Sequence, residues 1–275
     1  MTKNSVVRLA SAGALLLACY APVMVGLVRQ WATDDDMSHG FFVIPVAAFV
    51  VWRRRGELAE IEMRAHWWGL TIVIFGAMQM LIGALAAQLF VERTALLVSL
   101  IGAVWFLGGG RALAILAFPL ALLLFLFPIP AIVYARVTLP LQLFASAAAE
   151  TVLNAVGIPV VRDGNILELP HDRLSVVEAC SGIRSLLSLG FVSLVYGYFF
   201  DSRPAMRWVL LVATVPIAIA ANAARVALTG IFSEYRGELA HGVAHTFESW
   251  TLFAAALALV IMLHQCLRRF NRATA

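Results

Sequence analysis

The stretch MRWVLLVATVPIAIAANAARVALTGIF, residues 206–232, decides the fold class. About 20 consecutive apolar residues are needed to cross roughly 30 Å of hydrocarbon as a helix, and this run exceeds that length. A core helix of a water-soluble protein would show one polar face. Here only Arg207, Asn222, Arg225 and two threonines interrupt the apolar residues, so the surroundings are lipid.

Working outward, comparable runs occur at 8–29, 67–90, 178–200 and 247–267. A shorter one at 40–52 ends in Trp52-Arg-Arg-Arg55, an interfacial aromatic followed by a basic stop. Residues 94–127 hold two more, divided at Gly108-Gly-Gly-Arg111. The sequence therefore predicts an all-α, polytopic transmembrane helix bundle of about eight spans. Composition agrees: 62% hydrophobic and 13% charged residues, with a mean hydropathy of +0.89, leave too little polar surface for a soluble globule. The net charge of +4 and pI near 9.3 do not imply nucleic acid. The basic residues form short clusters between apolar runs and read as topology signals, with the bilayer as partner.

With the N-terminus inside, the inner segments collect Lys3, Arg8, Arg53–Arg55, Arg64, Arg111, Arg203, Arg207, Arg268, Arg269 and Arg272, more than half of the 20 basic residues. Asp34-Asp-Asp36, Glu92 and the segment from Arg162 to Arg173 fall outside, and both termini are cytoplasmic. Lys3 and Arg8 ahead of an apolar stretch could mark a signal peptide, and Leu16-Leu-Ala-Cys19 a lipoprotein box. The apolar run continues through Val28, however, which fits a span.

Residues 131–157 are apolar enough for a further span, but one more crossing would invert everything after it. Pro128, Pro130 and Pro140 are expected to break the stretch into an interfacial or re-entrant element facing the outer leaflet. Residues 158–176 follow, with short apolar runs around Asp163-Gly164 that predict a hairpin. They would cap the helix ends within a single domain, 1–275.

Ionisable groups within or beside apolar spans are expensive and mark candidate sites. They fall in Glu178-Ala-Cys-Ser-Gly-Ile-Arg184, in Asn222-Ala-Ala-Arg225, and at His241 and His245. On a helix, Cys180 and Arg184 share a face, and a nearby guanidinium favours the thiolate. Ser181 and Gly182 would let another backbone approach. The plain alternative makes Cys180 an apolar filler. Asn222 and Arg225 also share a face, and Arg225 offers fixed donors suited to a thiolate or an oxyanion. A snorkelling arginine is its alternative. His241 and His245 lack a third ligand, so an acid/base role is expected rather than a metal site. Cys19 and Cys266 show no CxxC spacing, and no cofactor is expected.

These three regions, together with His245-Thr-Phe-Glu-Ser-Trp250, resemble the motif regions of the exosortases. Asp36-Met-Ser-His-Gly-Phe-Phe-Val-Ile-Pro45 resembles the family's N-terminal signature. Phe118-Pro-Leu, Pro128-Ile-Pro130, Leu139-Pro-Leu-Gln142 and Gly157-Ile-Pro-Val-Val-Arg-Asp-Gly-Asn165 resemble its middle. The resemblance implies a bacterial inner-membrane cysteine transpeptidase or protease. Its partners would be exported proteins with a C-terminal Pro-Glu-Pro motif, a transmembrane segment and a basic tail (PEP-CTERM proteins), often beside exopolysaccharide export. The family's Cys, Arg and His fall on Cys180, Arg225 and His245. Glu178, Ser181, Arg184 and Asn222 would support them, and His241 is a rival because Ser249 replaces a glycine common in the family. A thioester acyl-enzyme is expected, with water, an amine, or a lipid or polysaccharide as acceptor. The competing expectation is a non-enzymatic exopolysaccharide export component whose polar residues line a transport path.

Overall fold

Helix follows helix along most of the chain in the computed structural model, which describes residues 3–62, 65–176, 182–235 and 243–273. The helices gather into two units, Met1–Pro130 and Ala131–Ala275.

In the first unit, α1 (Lys3–Cys19) and α2 (Ala21–Thr33) meet at a bend of 66°. Pro22 in the first turn of α2 has no amide hydrogen to continue the α1 ladder. A short 3-10 turn, Asp35–Met37, follows under an Asp34 side-chain cap. After it come α3 (Gly40–Arg53), α4 (Arg55–Ala59), α5 (Trp67–Leu85) and α6 (Leu89–Leu122), which runs on as 3-10 turns to Leu126. The α5 glycines Gly69, Gly76 and Gly83, seven apart, let its backbone meet that of α6. A Cβ on Gly69 would lie 2.2 Å from the Phe106 nitrogen, and one on Gly83 2.5 Å from that of Glu92.

α6 is interrupted at Gly109, whose φ of 66° lies in the left-handed region that only glycine adopts without strain. A continuous helix from Leu89 to Leu122 would be about 50 Å long at 1.5 Å per residue. Yet Arg93 near its start donates to Gln30, while Trp31 Nε1 donates to the Leu126 carbonyl at 3.2 Å. Adjacent residues cannot reach both ends of such a rod, so the chain doubles back at Gly109, where the Gly108-Gly-Gly-Arg111 division predicts it.

Among the described residues, six helices are long and apolar enough to cross a membrane, or seven if the bent α1–α2 pair is one span. The expectation of about eight took 94–127 as two spans where α6 is counted once, left out residues 131–157, and counted α3. Its 14 residues make about 21 Å of helix, short of the ~30 Å hydrocarbon thickness.

In the second unit, α9 (Pro204–Tyr235) packs against α7 (Ala131–Ala155), α8 (Gly182–Phe200) and α10 (Val243–Ala273). The expected break-up of residues 131–157 by prolines is not found. α7 is one 25-residue helix with Pro140 inside it, and by length and hydropathy it qualifies as a span. Pro128 and Pro130 precede it and so cost it no hydrogen bond. The predicted hairpin is present, with β1 (Val161–Asp163) and β2 (Ile166–Glu168) pairing Asp163 with Ile166 across Gly164, which has φ 62°. β3 (Arg173–Ser175) adds antiparallel to β2, pairing Leu167 with Leu174. This cap shares one buried cluster with α7 and α9, in which Leu167, Leu174 and Val176 meet Ala149, Leu153, Val226 and Ala227. Toward the other end of α9, Leu189, Leu210, Ala256 and Val260 form a second core.

Candidate active site

α9 carries a polar stripe through an otherwise apolar helix. Asn222, Arg225, Thr229 and Ser233 recur at steps of three and four residues and so lie along one side. All four are at least nine-tenths buried, Arg225 being 5% exposed. Arg225 Nη2 donates to Asn222 Oδ1 at 2.8 Å, which fixes the plane of the guanidinium. Lys could not be held this way, because its ammonium lacks the planar fork. The next residues, Val226 and Ala227, lie in the cluster that seats the cap. Arg225 thus precedes, on the same helix, the residues that seat the cap.

The cap is fastened in turn to the end of α9 and to α7. The Ser233 hydroxyl donates to the Asp172 carboxylate, and the His171 ring bonds Glu234 at 2.5 Å. On the α7 side, Ser146 donates to the Gly164 carbonyl at 2.9 Å, Asn165 to Gln142 at 3.1 Å, and Arg162 to Glu150 at 2.7 Å. Each bond joins the cap to a helix, so the strand leading toward residue 180 has a fixed origin. Val176 marks it, fully buried, with its amide donating to the Asn165 carbonyl at 2.9 Å.

Of the residues singled out in the sequence, the structure brings Asn222 and Arg225 into one hydrogen-bonded pair. Arg184 sits in the first turn of α8, partly buried beside the fully buried Ile183. His245 falls in the first turn of α10. Glu178, Cys180, Ser181 and His241, and the side chain of His245, lie outside the described residues. Among the described residues no group of three His, Cys, Asp or Glu side chains is gathered as a metal site would require.

Sequence reasoning missed His171, Asp172, Ser233 and Glu234. Thr229 and Ser233 could have been found by extending the Asn222/Arg225 side of the helix by one and two turns. Asp172 carries no local signal, since its partner is 61 residues away. The signature around His39 proves to be a fastening in the first unit. His39 is 6% exposed, and its Nε2 bonds the Phe125 carbonyl at 3.0 Å, next to the carbonyl that Trp31 holds.

Residues 31–262 match the profile of the family described as transmembrane exosortase (Exosortase_EpsH), which covers the signature, the cap and all three motif regions. The chain belongs to the transmembrane exosortases. No curated protein and no solved structure matches it. In this exosortase the family match runs across the boundary between the two units.

Proposed function

We propose that this exosortase is a membrane-embedded cysteine transpeptidase or protease that cuts the C-terminal sorting signal of exported proteins. The observation that carries the reading is Arg225, a guanidinium buried within α9 and held in plane by Asn222. A buried charge inside a span is retained where a ligand or reacting group needs it. Chain length supports Cys180 as its partner. Val176 packs in the cluster that includes Val226, and four residues of chain reach no farther than about 14 Å.

In the proposed reaction the Cys180 thiolate attacks the scissile carbonyl. The Sγ–C bond forms, and the developing oxyanion is stabilised by Arg225. Collapse breaks the C–N bond, and His245, or His241 in its place, gives the leaving amine its proton. The thioester is then resolved by water, an amine or a lipid or polysaccharide acceptor, whose proton returns to the histidine. Arg184 and Asn222 orient the set. A single family profile across both units supports treating them as one functional domain. The distribution of basic residues supports a topology with both termini in the cytoplasm and the capped end outside, in a bacterial inner membrane. Substrates would carry the Pro-Glu-Pro signal, beside exopolysaccharide export.

The test is co-expression with a tagged protein bearing that signal. Wild type is expected to shorten it, C180A to leave it intact, and hydroxylamine to intercept a substrate–enzyme thioester. Wild-type processing by C180A would end the assignment.

A further inference from the structure

The first unit contains a cavity of about 360 Å³ to which no step of the proposed reaction assigns a role. Its wall is almost wholly hydrocarbon and comes from three elements: Gly13 of α1, Leu58 of α4 with Ile61 just beyond, and Ala103, Leu107 and Ala112 of α6. Apolar cavities do not hold water, and an empty one forfeits dispersion contacts along its whole lining. A hydrocarbon occupant supplies both. At Gly13 the wall opens, because a Cβ there would meet no atom within 4 Å.

Charge identifies which hydrocarbon. Two of the wall elements border arginines. Arg54 and Arg55 precede Leu58, but Arg54 bonds Glu57 at 3.2 Å and Arg55 lies over the Trp52 ring at 4.2 Å. Arg111 sits between Gly110 and the lining residue Ala112. It is exposed and, among the described residues, has no hydrogen-bond or ion-pair partner. An unpaired guanidinium beside an apolar cavity matches a molecule with an alkyl chain and a phosphate, which such a fork binds through two oxygens.

We propose that the first unit binds one anionic phospholipid, with an alkyl chain in this cavity and its phosphate on Arg111. The site is built from other residues than the Arg225 centre and does not depend on the reaction proposed for it.

The full-length protein, released from vesicles of equal phosphatidylglycerol and phosphatidylcholine with matched chains, is weighed intact by native mass spectrometry. Wild type is expected to retain one lipid, mainly phosphatidylglycerol. Gly13→Leu fills the open mouth without a clash, and Ala103→Trp fills the cavity itself. Each should lower retention of both lipids severalfold at an unchanged Tm. Arg111→Gln should keep the chain and lose the headgroup preference. Competition with lysophosphatidylglycerol should displace the lipid, whereas inorganic phosphate should not. Equal retention by wild type and G13L, no headgroup preference in wild type, or displacement by inorganic phosphate would each overturn the proposal.

Discussion

His264 and Asp201 form a hydrogen-bonded pair inside the second unit, with Nε2 of the histidine 3.1 Å from the carboxylate. His264 is 1% exposed and Asp201 7%. The other ring nitrogen meets the Tyr196 hydroxyl at 3.0 Å, and Arg203 grips the carboxylate through Nε and Nη2 at 3.1 and 3.0 Å. The carboxylate can only accept, so Nε2–H donates to Asp201, and Nδ1 shares a hydrogen bond with the Tyr196 hydroxyl. Since Tyr196 is on α8, Asp201 and Arg203 lead into α9, and His264 is on α10, one network ties three helices at the end of the unit away from the cap.

Removing one member of such a set leaves another buried and unsatisfied, which costs about 3 kcal/mol or more. Asp201→Asn and His264→Ala are each expected to lower thermal stability in detergent by several degrees. The double variant should cost less than the sum, as in any coupled pair. Strict additivity would show that the two side chains do not act together.

Acid should reach the same network. The Arg203 hydrogen bonds above all, with one from His264, hold the Asp201 carboxyl well below the usual carboxylate range, against the opposing effect of burial. A folded-state value depressed below the unfolded one of about 3.9 means stability that is full above that pH and lost as pH falls through and below it. Melting curves from pH 7 to pH 3 should therefore show a loss confined to the acid end, and a shallower one in Asp201→Asn. An equal acid slope in both proteins would remove Asp201 as the cause.

The reversal in α6 gives a backbone test. Gly109→Ala would force a non-glycine residue to φ 66° and set its Cβ 2.7 Å from the His66 ring. The left-handed backbone alone costs about 1–2 kcal/mol, so a clear fall in Tm is expected. Gly110→Ala, where a Cβ meets nothing within 4 Å, should be nearly silent.

Much of this architecture is legible in the sequence, for reasons that differ by residue. Long apolar runs announce spans because lipid imposes one requirement along the whole helix, and Gly108-Gly-Gly-Arg111 announces a reversal because few other residues permit one. Asn222 and Arg225 stand out because polar groups inside such runs are costly. Pro140 misleads: a proline within a long helix is tolerated when neighbouring packing compensates, and the half of α7 that follows it supplies Ala145, Ala149 and Leu153 to the cap cluster. His264 does not stand out, because the apolar run hides a single histidine. Its partners Tyr196 and Asp201 are 68 and 63 residues away, beyond any local pattern.

Arg225 admits a prediction that separates charge from geometry. Arg225→Lys keeps the charge but loses the plane that Asn222 fixes, whereas Arg225→Gln loses both. If the guanidinium stabilises an oxyanion, each should slow cleavage of a sorting-signal substrate by about 10²-fold or more, as loss of a preorganised donor does. Asn222→Ala should have a smaller effect, because it removes only the restraint. Processing by Arg225→Lys at the wild-type rate would reduce the residue to a buried counter-charge.

The cap fastening yields the last prediction, because Ser233, Asp172, Glu234 and His171 hold the turn before β3 to the end of α9. Ser233 is 4% exposed, and Ser233→Ala removes its hydrogen bond to the exposed Asp172 carboxylate, at about 0.5–1.5 kcal/mol. That cost falls on the cap, whose hydrophobic cluster alone does not fix the turn, so it should appear as faster amide exchange in β2 and β3 with little change in α8 or α10. Asp172→Asn should behave alike, and the double variant should add little to either. Because β3 leads through Val176 toward residue 180, slower substrate processing should accompany the faster exchange. Exchange unchanged in both single variants would mean that the cap is held by its apolar contacts and its bonds to α7.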